Sequence, residues 1–139
     1  MNKQDREAFL ADVHVGIVSV ADGDRGPLTI PIWYDYEPGG EVVFLTGRKS
    51  RKGRLLEKAS RITLVAQTET PPYKYVSVEG PFTIEQSETE RDLRPMARRY
   101  LGEAGGDAYV ARMGGGDERD SIIVRMKPER WLSVDYSQM

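Results

Sequence analysis

Residues 42–67, VVFLTGRKSRKGRLLEKASRITLVAQ, hold two apolar runs separated by a short cationic segment. The apolar runs at the two ends, rich in β-branched residues, predict strands. Between them, Ser50 is a typical N-cap residue, and Leu55 and Leu56 give a predicted helix over 50–59 an inner face. The stretch therefore predicts a strand, a helix with cations at its start, and a second strand.

The rest of the chain continues this pattern of short elements, which its 14 glycines and 8 prolines favour. Mostly short connections between strands indicate an antiparallel sheet, and regular strand–helix alternation is missing. We therefore predict a mainly β fold with flanking helices, a small antiparallel barrel forming one domain over 1–139. Strands are predicted at 13–20, 28–36, 41–46, 61–67, 73–84, 121–126 and 130–136, and helices at 4–12, 50–59, 88–101 and 105–113.

The stretch LTIPIWYDY, residues 28–36, is the clearest of these strands. Its even-numbered residues are apolar or aromatic and are predicted to share the inner face, whereas Trp33 lies on the other face. Pro31 has no N–H to donate to a neighbour, so the strand is predicted to be an edge or to be irregular there. In the helix predicted over 88–101, Pro95 predicts a kink or a boundary.

Composition excludes several classes of site. The chain has no cysteine, which excludes disulfides and thiolate chemistry, and a single histidine, His14, interpreted as a hydrogen-bonded strand residue. No metal site and no catalytic acid–base pair are predicted. The net charge is −2, which argues against nucleic-acid binding, and no apolar run is long enough to span a membrane. We expect a cytoplasmic protein.

The cations are concentrated in residues 47–61, which carry a net charge of +6 although the whole chain is acidic. A helix start presents unpaired N–H groups, so this segment predicts a site for a compact anion such as a phosphate. The alternative is a solvated charged helix face. Lys52 and Arg54 are both expected to face solvent. Since no side chain here is suited to redox or acid–base chemistry, an enzyme of this sequence would depend on a bound cofactor.

The stretches VGIVSV, GPLTIPIWYDY, residues 42–67 and YVSVEGPFTI resemble the pyridoxamine 5′-phosphate oxidase-like split barrels, and within them the small actinobacterial flavin and deazaflavin oxidoreductases. The resemblance implies a six-stranded antiparallel split β-barrel of the FMN-binding type. It also implies a homodimer with a flavin-type ring in each of two clefts between the subunits. The end of the chain, RWLSVDYSQM, lacks the arginine-rich ending of true pyridoxamine phosphate oxidases, which argues against that substrate.

The resemblance also implies a set of cofactor-binding residues. The helix start binds the phosphate, with Lys52 and Arg54 on the family's basic positions, while residues of two strands line the ring and Trp131 borders the cleft. The full set is Pro31, Ile32, Trp33, Thr46, Arg48, Lys49, Ser50, Arg51, Lys52, Arg54, Gln67 and Trp131.

The leading functional hypothesis is a reductase that uses coenzyme F420, a deazaflavin with a polyanionic tail, to reduce an unidentified small organic molecule. An excess of cations over what one phosphate needs favours it. The alternatives are an FMN-dependent oxidoreductase of the same family and a non-catalytic carrier of a flavin or a haem.

Overall fold

The computed structural model describes residues 1–113 and 120–138. The sequence GGGD at 114–117, which predicts a loop, lies outside the described residues. In the described ranges the chain forms three α-helices and seven strands, with one turn of π-helix at Thr89–Leu93 and one turn of 3₁₀ helix at Tyr136–Gln138. These elements are α1 Lys3–Ala11, β1 Val15–Asp22, β2 Arg25–Tyr36, β3 Val42–Gly47, α2 Arg51–Lys58, β4 Arg61–Gln67, β5 Lys74–Gln86, α3 Arg94–Met113, β6 Ser121–Met126 and β7 Arg130–Asp135.

Six strands close into an antiparallel barrel in the order β1–β2–β3–β6–β5–β4, with β4 paired back to β1. The seventh strand, β7, pairs with the first half of β5. This topology confirms the predicted mainly β fold and the six-stranded barrel.

Strand β5 bends so that its two halves pair with different strands. Its first half pairs with β4 and β7, and its second half pairs with β6. At the bend, a Cβ added to Gly80 would lie 1.7 Å from the carbonyl oxygen of Lys127. Only glycine therefore lets the β6–β7 connection cross the middle of β5.

The inward-facing residues of the strands form the core, as the alternation predicts. Tyr34, Tyr36 and Phe44 are buried there, and Leu56 on α2 packs into the same cluster. The buried phenol of Tyr34 donates a hydrogen bond of 2.7 Å to the carbonyl oxygen of Leu10, which fixes α1 against the barrel. Burial raises the pKa of this phenol well above its usual range.

The barrel is split between β2 and β3. These strands pair only through Tyr34, Asp35 and Tyr36, and the earlier part of β2 pairs with β1 alone. Pro31 lies in that one-sided part, which confirms the prediction that it belongs to an edge.

Helix α3 folds back on itself beside the split. The reversal occurs at Gly102, whose φ of 78° favours glycine, and it divides α3 as the two predicted helices would. Pro95 lies in the first turn of α3, where a missing N–H costs no helical hydrogen bond, so it marks the start of this helix, which confirms the predicted boundary. The two arms pack closely, because a Cβ on Gly106 would lie 2.6 Å from the Arg98 nitrogen.

Candidate functional site

The start of α2 is built around a tight turn. Ser50 is the N-cap, as predicted, and its hydroxyl accepts a hydrogen bond of 3.0 Å from the Gly53 amide. A Cβ on Gly53 would lie 2.3 Å from the Gly47 carbonyl oxygen, so glycine allows this turn to close. The amides of Arg51 and Lys52, in the first helical turn, have no acceptor within the helix. The turn therefore presents N–H donors among the predicted cations.

Two carboxylates reduce the positive charge of this turn. Asp22, at the end of β1, pairs with Arg51 at 2.5 Å. Asp120 accepts from the Lys49 amide at 3.3 Å, and its backbone carbonyl accepts from the Arg48 amide. The segment is thus less cationic in the fold than its sequence indicates. Arg54 is exposed, as predicted.

Lys52 differs from its neighbours. It is half-buried, so the expectation that it faces solvent is wrong, and burial lowers the pKa of its ammonium group. Within the described ranges it forms no ion pair. A partly desolvated cation without a carboxylate is stabilised when an anion binds beside it.

An apolar cleft of about 390 Å³ occupies the split between β2 and β3. Three of the predicted ring-binding residues line it, and helix α3 supplies the opposite wall. The lining residues are Val15, Pro31, Ile32, Trp33, Leu45, Leu93, Met96 and Tyr109.

Thr46 connects the cleft to the helix start. It follows Leu45 of the cleft wall on β3, and its hydroxyl lies 3.4 Å from that of Ser50. Thr46 therefore lies between a wall residue of the cleft and the N-cap of α2, although none of the lining residues of the cleft belongs to α2.

Trp33 is held in place by two tyrosines of α3. Its ring stacks on Tyr100 with centroids 5.0 Å apart and nearly parallel planes, and the Tyr109 ring is 5.3 Å away and tilted. Beyond the end of β1, the Tyr100 phenol makes hydrogen bonds to β2 and to the residue before β1 where the two strands no longer pair. It donates to the His14 carbonyl oxygen at 2.5 Å and accepts from the Tyr34 amide at 3.0 Å. Trp33 is thus a wall of the cleft, with at least one ring face already covered.

The sequence reasoning missed the residues that line this site from α3 and from the π-helical turn before it, in which Leu93 lies. Leu93, Met96 and Tyr109 have ordinary helical spacing, which does not indicate the wall of a cleft. Their position depends on the fold of α3, which Asp107 fixes by accepting from Arg94 at 2.6 Å and from Arg98 at 2.9 Å. The mixed charges of the segment were the available signal.

Two predicted residues lie away from the cleft within one protomer. Gln67 ends β4, exposed on the outer face of the sheet, with β1 between its strand and β2. Trp131 lies at another end of the barrel, with its ring 6.1 Å from that of Tyr36 and the Arg6 guanidinium 4.7 Å above it. A single protomer does not bring these side chains to Pro31, Ile32 and Trp33.

His14 is hydrogen-bonded, as predicted: its Nε2 lies 3.0 Å from the Phe9 carbonyl oxygen, and its ring stacks on that of Phe9 at 4.5 Å. It lies just before β1, so the prediction that it belongs to a strand is wrong. In residues 1–113 and 120–138, no group of three histidine, aspartate or glutamate side chains is arranged to hold a metal ion. In the same ranges, every helix is too short or too polar to cross a bilayer.

The six-stranded barrel has a split between β2 and β3 and a cationic helix start next to it. These features place the protein in the split-barrel class. A family model described as pyridoxamine 5′-phosphate oxidase matches residues 3–135. The chain therefore belongs to the pyridoxamine 5′-phosphate oxidase family. Among curated proteins, none matches the sequence.

Solved structures with low sequence identity share the fold. One, an F420 reductase, has a TM-score of 0.73 and 20% identity, with 91% of this chain and 94% of that chain covered. A conserved hypothetical protein from Mycobacterium tuberculosis has a TM-score of 0.75 and 22% identity, with 98% and 86% covered. An FAD-binding protein from Mesorhizobium loti has a TM-score of 0.66 and 15% identity, with 96% and 91% covered.

Proposed function

We propose that the protein is a cofactor-dependent oxidoreductase, a reductase that passes a hydride from reduced coenzyme F420 to a small organic acceptor. The observation that carries the proposal is Lys52, a half-buried cation without a carboxylate partner in the described ranges, in the first turn of α2. The neighbour described as an F420 reductase, at 20% identity, is consistent with this choice.

The residues at the helix start fit a phosphate group. Lys52 would supply a partly desolvated charge, and the amides of the first turn would add hydrogen bonds. Arg48, Lys49 and Arg54 would extend the cationic surface toward a longer anionic tail. Arg51 contributes less than its sequence position predicts, because Asp22 already neutralises it.

The cleft fits the ring. Pro31, Ile32 and Trp33 belong to the part of β2 that pairs with β1 alone, so the other edge of this strand can offer backbone donors and acceptors to ring heteroatoms. The apolar walls would exclude water and hold the acceptor against the reactive carbon. When bound, the reduced deazaflavin supplies the hydride from C5 of its ring, and the protein supplies orientation.

An FMN-dependent oxidoreductase is the second candidate. The Asp22–Arg51 ion pair and the carboxylate of Asp120 beside Lys49 favour it, because together they leave fewer cations for a polyanionic tail. A non-catalytic carrier is a third candidate. For that carrier, flavin is a better ligand than haem, since the ring of the chain's one histidine already bonds and stacks with Phe9.

We propose that the protein acts as a homodimer through the outer face of the β7–β5–β4–β1–β2 sheet. Val15 and Leu132 on this face are 55% and 62% exposed, an unusual exposure for large apolar side chains in strands. Gln67 shares this face, so a partner subunit packed there would bring it near a second cleft. Trp131 would border the cofactor only if the partner subunit approached its end of the barrel. The expected location of this dimer is the cytoplasm.

The absorption spectrum of the purified protein tests the proposal most directly. A bound deazaflavin gives a fluorescent band distinct from the yellow spectrum of FMN, and haem gives a Soret band. Protein without chromophore is then titrated with F420 and FMN under identical conditions. Tighter binding of FMN would replace the F420 proposal by its alternative, and failure of both ligands to bind would reject the cofactor site.

A further inference from the structure

A second cavity, of about 530 Å³, lies at the end of the barrel where α1, the turn between β2 and β3, and the β6–β7 connection meet. Its volume is within the range of small-molecule sites. It shares no lining residue with the cleft of Pro31 and Trp33. Of the residues predicted to bind the cofactor, only Trp131 lines it.

One wall of this cavity contains an arginine, Arg6, with one buried N–H that has no hydrogen-bond partner. The Arg6 guanidinium lies 4.7 Å from the centroid of the Trp131 ring, a cation–π contact. Its Nε is buried and has no hydrogen-bond partner, the one side-chain atom of this kind in the ranges that the structure describes. A buried donor left unpaired is unfavourable, and such groups in native proteins call for an explanation such as a missing ligand.

The other charges at the cavity also favour an anion. Lys3 and Lys127 line it, and neither forms an ion pair within residues 1–113 and 120–138. The two carboxylates of the lining are Glu7 and Glu41, and Glu7 already accepts a hydrogen bond of 3.3 Å from the Tyr36 phenol. The lining therefore has three cations, against which Glu41 is the one carboxylate that accepts no such hydrogen bond from a lining side chain.

Trp131 gives the cavity a flat aromatic wall, and the buried Tyr36 ring supports it. Trp131 and Tyr36 meet edge to face, with ring centroids 6.1 Å apart and planes at 69°. We infer that this cavity is a second ligand site, which takes a small planar carboxylate. The ring of such a ligand would pack on Trp131, while its carboxylate would accept from Arg6, Lys3 and Lys127.

The test uses benzoate as the probe and benzamide, its uncharged isostere, as the matched ligand. Calorimetry on the full chain should give saturable binding of one benzoate per subunit, with benzamide at least tenfold weaker. In the ¹⁵N-labelled protein, the indole N–H signal of Trp131 should shift on addition of benzoate, and that of Trp33 should not. No saturable benzoate binding, or equal affinity for benzamide, would overturn the inference.

Variants separate this site from the cofactor cleft. Arg6→Gln should weaken benzoate binding about tenfold or more, and Lys127→Gln should weaken it several-fold. Because Arg6 also packs on Trp131, the exposed Lys127 gives a test that does not depend on the fold of the Arg6 variant. Lys52→Ala and Lys58→Gln should leave benzoate affinity unchanged. If Lys52→Ala abolished binding, or Lys127→Gln had no effect, the second site would be rejected, whatever the outcome for F420.

Discussion

Replacement of Lys52 by alanine is the sharpest test of the phosphate site, because this cation is half-buried and has no carboxylate partner in the described ranges. Two unit charges 4 Å apart interact by about 4 kcal/mol at an effective dielectric constant of about 20. The cost of desolvating the phosphate takes up part of this energy, and measured hydrogen bonds to charged groups contribute about 1.5–3 kcal/mol. The variant should therefore bind the cofactor about ten- to a hundredfold more weakly.

Calorimetric titration of F420 into the wild-type protein and the variant measures this loss. Lys58→Ala, in the last turn of the same helix, is the matched control and should bind as wild type. Folding should be unchanged or slightly favoured in Lys52→Ala, since the variant removes a charge whose burial is unfavourable, and thermal denaturation measures this. Unchanged cofactor affinity in Lys52→Ala would refute the phosphate site and leave a solvated charged helix.

The direction of the Lys52 pKa shift adds a pH test. Burial lowers this pKa in the free protein, and a bound phosphate would raise it again, so binding is coupled to retention of the proton. Wild-type affinity should fall as the pH rises through the lowered pKa of Lys52, at a lower pH than for an ordinary lysine. Lys52→Ala should lack this part of the profile. An identical decline in both proteins would assign the effect to another group.

Three further results are expected. The affinity for F420 should fall more steeply with salt than the affinity for FMN, because the F420 tail carries more charge than one phosphate. Titrations of both cofactors at low and high salt measure the two slopes. Equal slopes would exclude contacts of the tail with the exposed cations. Gly80→Ala should lower the free energy of unfolding by about 3 kcal/mol or more, because the added Cβ would overlap the Lys127 carbonyl. Gly26→Ala, whose added Cβ meets open space, should change the free energy of unfolding by less than about 0.5 kcal/mol. Chemical denaturation measures both values, and a stable Gly80→Ala protein would contradict the packing at the bend. Leu132→Asp should convert the proposed dimer into a folded monomer, as measured by light scattering. Leu101→Asp, at an exposed position of α3, is the control, and a wild-type protein that is already monomeric would reject the dimer.

The sequence by itself determined the strands, the Ser50 cap and the edge character at Pro31, because each depends on local chemistry. Alternation over residues 28–36 assigns the inner face of β2 whatever the strand pairs with. A proline cannot donate to a ladder in any fold, and a serine before an apolar repeat can cap a helix in any fold. The resemblance to the split barrels added the order of strands, which the family match over residues 3–135 supports.

The tertiary structure alone decided which cations of the candidate site have carboxylate partners and which residues surround the site. In the sequence, Arg51 and Lys52 are equivalent cations, yet the first lies beside Asp22, 29 residues away, and the second is half-buried without such a partner. Likewise, Tyr109 reaches the Trp33 cleft only because α3 reverses at Gly102 and packs through Gly106. Ion pairs and cleft walls join residues distant along the chain, so local patterns could not predict them.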